Sequence, residues 1–200
     1  LTLRNLGNAY YAQQDFEQAA DYQQQSLELS ESIRDRYGEM QALGNLGNLL
    51  AISNETESAI VNYRQALSLA QTLQHANEEA QILLGLGTAY YYLQNYEAAQ
   101  NYFKQSLSLT KRLGAKLGEG IALTNLGETL LRQDRLSEAE TALFKSIEIW
   151  ENLQAGLGNS NTFRISLFET QKAAYRNLQE VLVNSNRTSA ALEISELVRT

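Results

Sequence analysis

Asparagine recurs in this chain at Asn5 and Asn8, at Asn45 and Asn48, and again at Asn125. An asparagine amide carries both a hydrogen-bond donor and an acceptor. A row of such amides can pair with the peptide groups of an extended ligand, each bond contributing about 0.5–1.5 kcal/mol. The same amides can instead tie neighbouring helices together or face water, and the residues by themselves leave these uses open. The chemistry on offer is binding, and no catalytic set accompanies it. Carboxylates are scattered without the pairing that general acid–base work needs. The single histidine, His75, falls in a turn between two helical patterns, where an imidazole alone is solvated rather than reactive. With no cysteine there is no thiol nucleophile and no thiolate metal site. The glycine-bearing strings GLGNSN and LGAKLGEG match neither phosphate-binding fingerprint, and no strand precedes them. The chain reads as a non-enzyme without cofactor or metal.

The elements that position the asparagines are visible as a period of 40. Leu3, Leu43, Leu83 and Leu123 form one column; Leu6, Leu46, Leu86 and Leu126 the next; Gly7, Gly47, Gly87 and Gly127 a third. Ala19, Ala59, Ala99 and Ala139 follow, then Leu27, Leu67, Leu107 and Ile147, then Leu29, Leu69, Leu109 and Ile149. Such self-similarity marks a repeat architecture. Each copy holds two helical patterns. Leu3, Leu6 and Tyr10 have the i, i+3, i+7 spacing of one apolar helix face. A polar break follows at Gln13–Asp15, and a second helix is expected from Phe16 to Arg34. A glycine inside a helix costs about 1 kcal/mol relative to alanine, so its return at one place implies a packing reason. The expectation is that Gly7 and the small Ala19 let two antiparallel helices approach closely.

The bulk composition agrees. A hydrophobic fraction of 44% with 20% charged residues belongs to a globular chain rather than a disordered one. Proline is absent, so only glycine and polar turns interrupt helices. A net charge of −7 argues against nucleic acid, whose phosphates need a basic face. No apolar run is long enough to span a bilayer, so no membrane is expected. The lack of cysteine fits a reducing compartment, and the cytoplasm is the expected location.

The repeats resemble the tetratricopeptide repeat. Leu6-Gly7, Tyr10 and Ala19 match its signature, as do Leu86-Gly87, Tyr90, Ala99 and Phe103. Leucine replaces the opening tryptophan, the closing proline is missing, and the 40-residue length is similar to the repeats of kinesin light chains and Asn-Leu-Gly adaptors. The resemblance implies an all-α fold, a right-handed α-solenoid of antiparallel helix pairs, with four repeats at 1–35, 36–75, 76–115 and 116–153. A divergent fifth pair is expected at 154–200, its long first helix running from Thr162 to Asn184 behind the linker-like QAGLGNSN. In this family the first helices line the concave surface. There the resemblance puts Asn5 and Asn8; Gln41, Asn45 and Asn48; Thr88 and Tyr92; and Asn125, Glu128 and Arg132. These are the candidate peptide-binding residues, and a protein or peptide segment is the expected partner. Clamping of a C-terminal carboxylate by lysines is not expected, because Gln41, Gln81 and Ile121 stand where lysine would help. Gly85 and Thr88 suggest a dent walled by Tyr92. Tyr90 is expected in the core, with Tyr91 and Tyr96 between repeats.

Arg164–Arg199 resembles the segment that precedes caspase-like CHAT domains in bacterial, often cyanobacterial, repeat proteins, through Tyr175, Leu178, Leu182, Ala191, Leu192, Glu193, Glu196 and Arg199. That resemblance implies a regulatory or self-associating arm of a larger effector. A start at Leu1 rather than methionine suggests an excised fragment. The apolar residues Ala190, Ala191, Leu192, Ile194, Leu197 and Val198 suggest a last helix that continues beyond Thr200 or pairs with a second copy.

Overall fold

The computed structural model describes residues 2–156 and 161–197, with side chains for 2–156 and 171–196. These residues form ten helices and no strand: α1 (Thr2–Ala12), α2 (Phe16–Ile33), α3 (Arg36–Ile52), α4 (Thr56–Thr72), α5 (Ala76–Tyr92), α6 (Tyr96–Leu113), α7 (Lys116–Arg132), α8 (Leu136–Gly156), α9 (Asn161–Asn184) and α10 (Thr188–Leu197). They fall into two compact units, Leu1–Gln94 with α1–α5 and Asn95–Thr200 with α6–α10. Within each unit consecutive helices pack on one another, and alternate helices also touch, α3 with α5 and α7 with α9. The fold class is all-α, of antiparallel helix pairs stacked as in α-solenoids. Gln154, Ala155 and Gly156, read as the start of a linker, instead form the last turn of α8. Residues 157–160 of that stretch, and Val198–Thr200 of the last helix, lie outside the described residues.

The turns explain how a chain without proline reverses so tightly. Gln14, Arg34, Asn54, Gln74, Gln94, Gly114 and Asp134 all adopt left-handed backbone, at intervals of 20, with φ between 57° and 67°. After several of them the next amide reaches back across the helix end, as in Asp35 N–H to Ser30 O at 2.8 Å and Ala115 N–H to Thr110 O at 2.9 Å. These are the paired C-terminal bonds of a Schellman motif. The following residue then caps the next helix: Asp15 accepts from Gln18 N–H, Asp35 from Gly38 N–H and Asn95 from Ala98 N–H. Such a cap contributes about 1 kcal/mol. One helix therefore ends and the next begins within two or three residues, which within each unit forces neighbours antiparallel.

The repeated glycines have a different partner from the one the spacing suggests. A Cβ on Gly7 would lie 2.6 Å from the Gln23 amide; on Gly47, 2.7 Å from the Tyr63 ring; on Gly127, 2.5 Å from Leu143. Each glycine thus makes room for a large side chain sixteen residues later, not for Ala19 or its equivalents. The residues in that column, Gln23, Tyr63, Phe103 and Leu143, are all buried. Ala19, Ala59, Ala99 and Ala139 are fully buried as well. Leu6 also departs from expectation: Leu46, Leu86 and Leu126 are buried, whereas Leu6 is 40% exposed, because among the described residues no helix precedes α1 to cover it.

In unit 2 the core holds a small polar network. Trp150, 1% exposed, donates from Nε1 to Ser146 Oγ at 2.9 Å and to Thr124 Oγ1 at 3.2 Å. Thr124 and Ser146 share a bond of 2.6 Å, and each hydroxyl also reaches the Gly120 carbonyl. The indole lies flat enough on α7 that a Cβ at Gly120 would come within 2.8 Å of it. The indole N–H and both hydroxyls of this network thus have partners, as burial requires.

Candidate peptide-binding site

In unit 1 the structure gathers Asn8, Gln41, Asn45 and Asn48 around one cavity of about 210 Å3 between α1, α3 and α5. Gly44 lies at its base; a Cβ there would meet nothing within 4 Å, so the space stands open above the helix backbone. Met40 and Ile82 supply apolar wall, Arg4 a cation from α1, and Glu78 and Gln81 polar groups from α5.

The asparagines are already partly engaged. Asn8 Oδ1 accepts from Gln23 Nε2 at 2.8 Å and from Asn45 Nδ2 at 3.1 Å. Asn48 Oδ1 accepts from the Tyr63 hydroxyl at 2.7 Å. Of the uses left open by the sequence, the structural one is present: the amide oxygens tie helices together, and the same residues line the cavity. The bonds also account for where asparagine stands. Its column reads Asn8, Asn48, Thr88, Glu128, and the residue fifteen positions later reads Gln23, Tyr63, Phe103, Leu143. Asparagine occurs only in the two copies whose buried partner carries a hydrogen-bonding group. Burying the Gln23 amide or the Tyr63 hydroxyl without an acceptor would cost about 1–3 kcal/mol, and asparagine supplies the acceptor. Burial, and after it the nearby Tyr11, pushes the Tyr63 hydroxyl up to about 12.

A second network braces the cavity wall. Gln41 Nε2 donates to the Tyr37 hydroxyl at 2.8 Å, which donates to Glu78 Oε1 at 3.1 Å. Burial and then the Glu78 carboxylate hold the Tyr37 hydroxyl above its ordinary range, with the Arg4 charge opposing them. Gln41 Oε1 is buried without a donor. His75, at the start of α5, sets its ring 4.7 Å from that of Tyr37 and its Nδ1 3.6 Å from Glu78. It is a structural neighbour of the cavity.

The remaining candidates lie elsewhere. Asn5 is exposed and Thr88 half-buried, and neither lines the cavity. Tyr92 is 69% exposed, its ring edge-on to Tyr91. The dent expected at Gly85 is filled: a Cβ there would meet the Tyr63 ring at 2.8 Å. Tyr90 is half-buried rather than core, and its hydroxyl accepts from Arg64. In unit 2, Asn125 and Glu128 are half-buried, and Arg132 pairs with Glu180 of α9 at 2.9 Å.

Arg4, Met40, Gly44, Tyr63, Glu78 and Ile82 line the cavity and were missed by sequence reasoning, as was Tyr37, which braces its wall. Their columns vary: Arg4 aligns with Gly44, Leu84 and Thr124, and Glu78 with Gly38 and Gly118. A period-40 reading selects preserved columns, whereas the cavity arises where the repeat departs from itself.

Among the described residues no helix is long and apolar enough to cross a membrane. No curated protein matches the chain. Among solved structures, BtubC (BKLC) from P. vanneervenii superposes with a TM-score of 0.82 at 18% identity, covering 98% of this chain and 77% of that one. A putative kinesin light chain from Podosopora anserina with nearly identical TPR-like repeats gives 0.75 at 13% identity, covering 99% and 92%. A Rap protein complexed with Competence and Sporulation Factor gives 0.69 at 17% identity, covering 98% and 62%. At these identities the likeness shows the fold alone. The tetratricopeptide repeat family model matches residues 1–72 and 78–152, which is most of the chain. With its helix pairs, Leu-Gly columns and left-handed turns, this chain belongs to the tetratricopeptide repeat family.

Proposed function

We propose that the chain is a non-catalytic protein-binding scaffold that holds an extended peptide segment against its first helices, with the cavity over Gly44 as the principal pocket. The observation that carries this reading is the convergence of Asn8, Gln41, Asn45 and Asn48 on that cavity. With the oxygens of Asn8 and Asn48 consumed internally, their Nδ2 groups serve as donors to ligand carbonyls and Asn45 Oδ1 serves as an acceptor. An extended peptide offers both alternately. Arg4 and Glu78 set its polarity from opposite helices. Asn5, Thr88 and Tyr92 extend the contact in unit 1, and Asn125, Glu128 and Arg132 are its counterparts in unit 2. The cytoplasm is the proposed setting, and the net charge of −7 disfavours nucleic acid as partner.

Gly44→Leu tests this directly. The new side chain enters open space, so the fold is kept, and replacing a helical glycine even favours the helix by up to about 1 kcal/mol. Peptides selected on the wild-type chain from a random library are expected to bind Gly44→Leu at least about tenfold more weakly, at an unchanged or raised melting temperature. Equal binding to both proteins would remove the cavity from the function.

A second reading concerns the end of unit 2. Leu192 of α10 is 66% exposed and Val183 of α9 48% exposed, an apolar edge that favours pairing with a second copy. Ala191, from the same expected stripe, is buried. Light scattering is expected to give a mass that rises with concentration, and Leu192→Glu to abolish the rise; a concentration-independent monomer overturns this reading. Its extension to an effector arm rests on the resemblance of Arg164–Arg199 to pre-CHAT segments.

A further inference from the structure

Three of the five lysines in the chain, Lys111, Lys116 and Lys145, surround one cavity of about 510 Å3 in unit 2. It opens where the end of α6, the start of α7 and the C-terminal half of α8 meet. Leu123, Ile149 and Leu153 form its apolar floor. Lys116 is neutralised by Glu119 at 2.9 Å. Lys111 and Lys145 make no ion pair among the described residues, and Glu148 is the other carboxylate at the mouth.

The repeats provide an internal comparison. The floor columns are apolar in every copy: Leu123 aligns with Leu3, Leu43 and Leu83, and Ile149 with Leu29, Leu69 and Leu109. Packing accounts for them. The lysine columns are different. Lys145 aligns with Gln25, Gln65 and Gln105, and Lys111 with Glu31, Gln71 and Glu151. Folding the repeat does not require a cation at either place. Lys111 also suits the carbonyl end of α6, but Lys145 lies inside α8, away from any helix end. In a chain of net charge −7, two unpaired ammonium groups over an apolar floor call for a ligand with the complementary pattern.

We propose that this cavity binds a small amphipathic carboxylate, its hydrocarbon part against Leu123, Ile149 and Leu153 and its anionic head between Lys111 and Lys145. Ammonium–carboxylate hydrogen bonds are of the strong, charge-assisted kind. The cavity falls in the volume range of small-ligand sites, about 300–1,000 Å3. Lysine stems can lie along the apolar wall while their heads reach the carboxylate.

The test uses dodecanoate as probe, with dodecan-1-ol as the uncharged control, titrated into the 200-residue chain by calorimetry. Lys111→Gln/Lys145→Gln installs the residue types of other copies and so keeps the fold; circular dichroism verifies this. Dodecanoate is expected to bind the wild type, to bind the double variant at least tenfold more weakly, and to outbind the alcohol by a similar factor. Amide shifts of the wild type are expected to move around Leu123, Ile149 and Leu153. Undetectable binding at millimolar probe, equal affinity for variant and wild type, or equal binding of the alcohol would each overturn the proposal. Binding of an acidic peptide at these lysines without dodecanoate binding would also overturn it, in favour of a peptide-docking surface.

Discussion

Tyr63→Ala is expected to destabilise unit 1 by about 3–5 kcal/mol, the range for deleting a buried aromatic ring. Tyr63 is 4% exposed and lies between two glycines of different helices, Gly47 on α3 and Gly85 on α5, with its hydroxyl on Asn48. Removing the ring empties the space that both glycines were keeping clear. The sharper form of this prediction is a double-mutant cycle with Gly47→Ala. In the wild type the new methyl would stand 2.7 Å from the ring, an overpacking that costs about 1–3 kcal/mol. In the Tyr63→Ala background it meets a cavity and adds helix propensity, worth about 1 kcal/mol. The effect of Gly47→Ala should therefore change sign, as read from denaturant midpoints. A methyl equally harmful in both backgrounds would show that the glycine serves something other than Tyr63. The hydroxyl adds a pH signature. In the folded chain it titrates at about 12, against about 10 when unfolded. As pH rises past about 10 the unfolded state gives up the proton and the folded state keeps it, so stability is full below that pH and falls through about 12. Two pH units correspond to a loss of about 3 kcal/mol. Tyr63→Phe should flatten that part of the decline.

Trp150→Ala is expected to cost a similar amount, about 3–5 kcal/mol, in unit 2. Here two mechanisms add. The indole fills the space above Gly120, and its Nε1 is one of the partners of Thr124 and Ser146. Trp150→Phe separates them: most of the volume stays, the donor goes, and the loss should be smaller, about 1–3 kcal/mol for weakening a buried network. Gly120→Ala should destabilise by about 1–3 kcal/mol in the wild type and do little harm beside Trp150→Ala. Melting followed by circular dichroism reads all of these. Trp150→Phe as costly as Trp150→Ala would show that the hydrogen bonds, not the filled volume, dominate.

Much of the fold was legible in the sequence because a repeat protein must bury each unit on the next. That requirement acts on every copy alike, so Leu46, Leu86 and Leu126 recur at one spacing and their burial follows. The exception, Leu6, is the copy whose outer neighbour is absent among the described residues. Helix identity was legible for a similar reason: good helix formers, no proline, and apolar residues at helical spacing leave no alternative.

The candidate site was only half legible. Asparagine at positions 8 and 48 announced hydrogen bonding, but an amide is a donor and an acceptor, and a sequence does not say which end is spoken for. That was decided by Gln23 and Tyr63, fifteen residues away on the next helix, whose buried groups claim the oxygens. The cavity was less visible still, since it depends on Gly44, Arg4 and Glu78, three residues in columns the repeat does not preserve.

What the sequence by itself determined is the period, the helix pairs and most of the core columns, all properties of residue type at fixed spacing. Tertiary structure decided the rest. The left-handed turn every 20 residues is carried by Gln14, Arg34, Asn54, Gln74, Gln94, Gly114 and Asp134, all polar or glycine but of no single type. The backbone there is held by hydrogen bonds across the helix end, so the sequence marks a polar break without announcing its left-handed conformation. The glycines likewise announced a close approach, but only the packed helices identify its partner as Gln23, Tyr63 or Leu143, because van der Waals contact is settled by where two helices lie and not by how far apart they are along the chain.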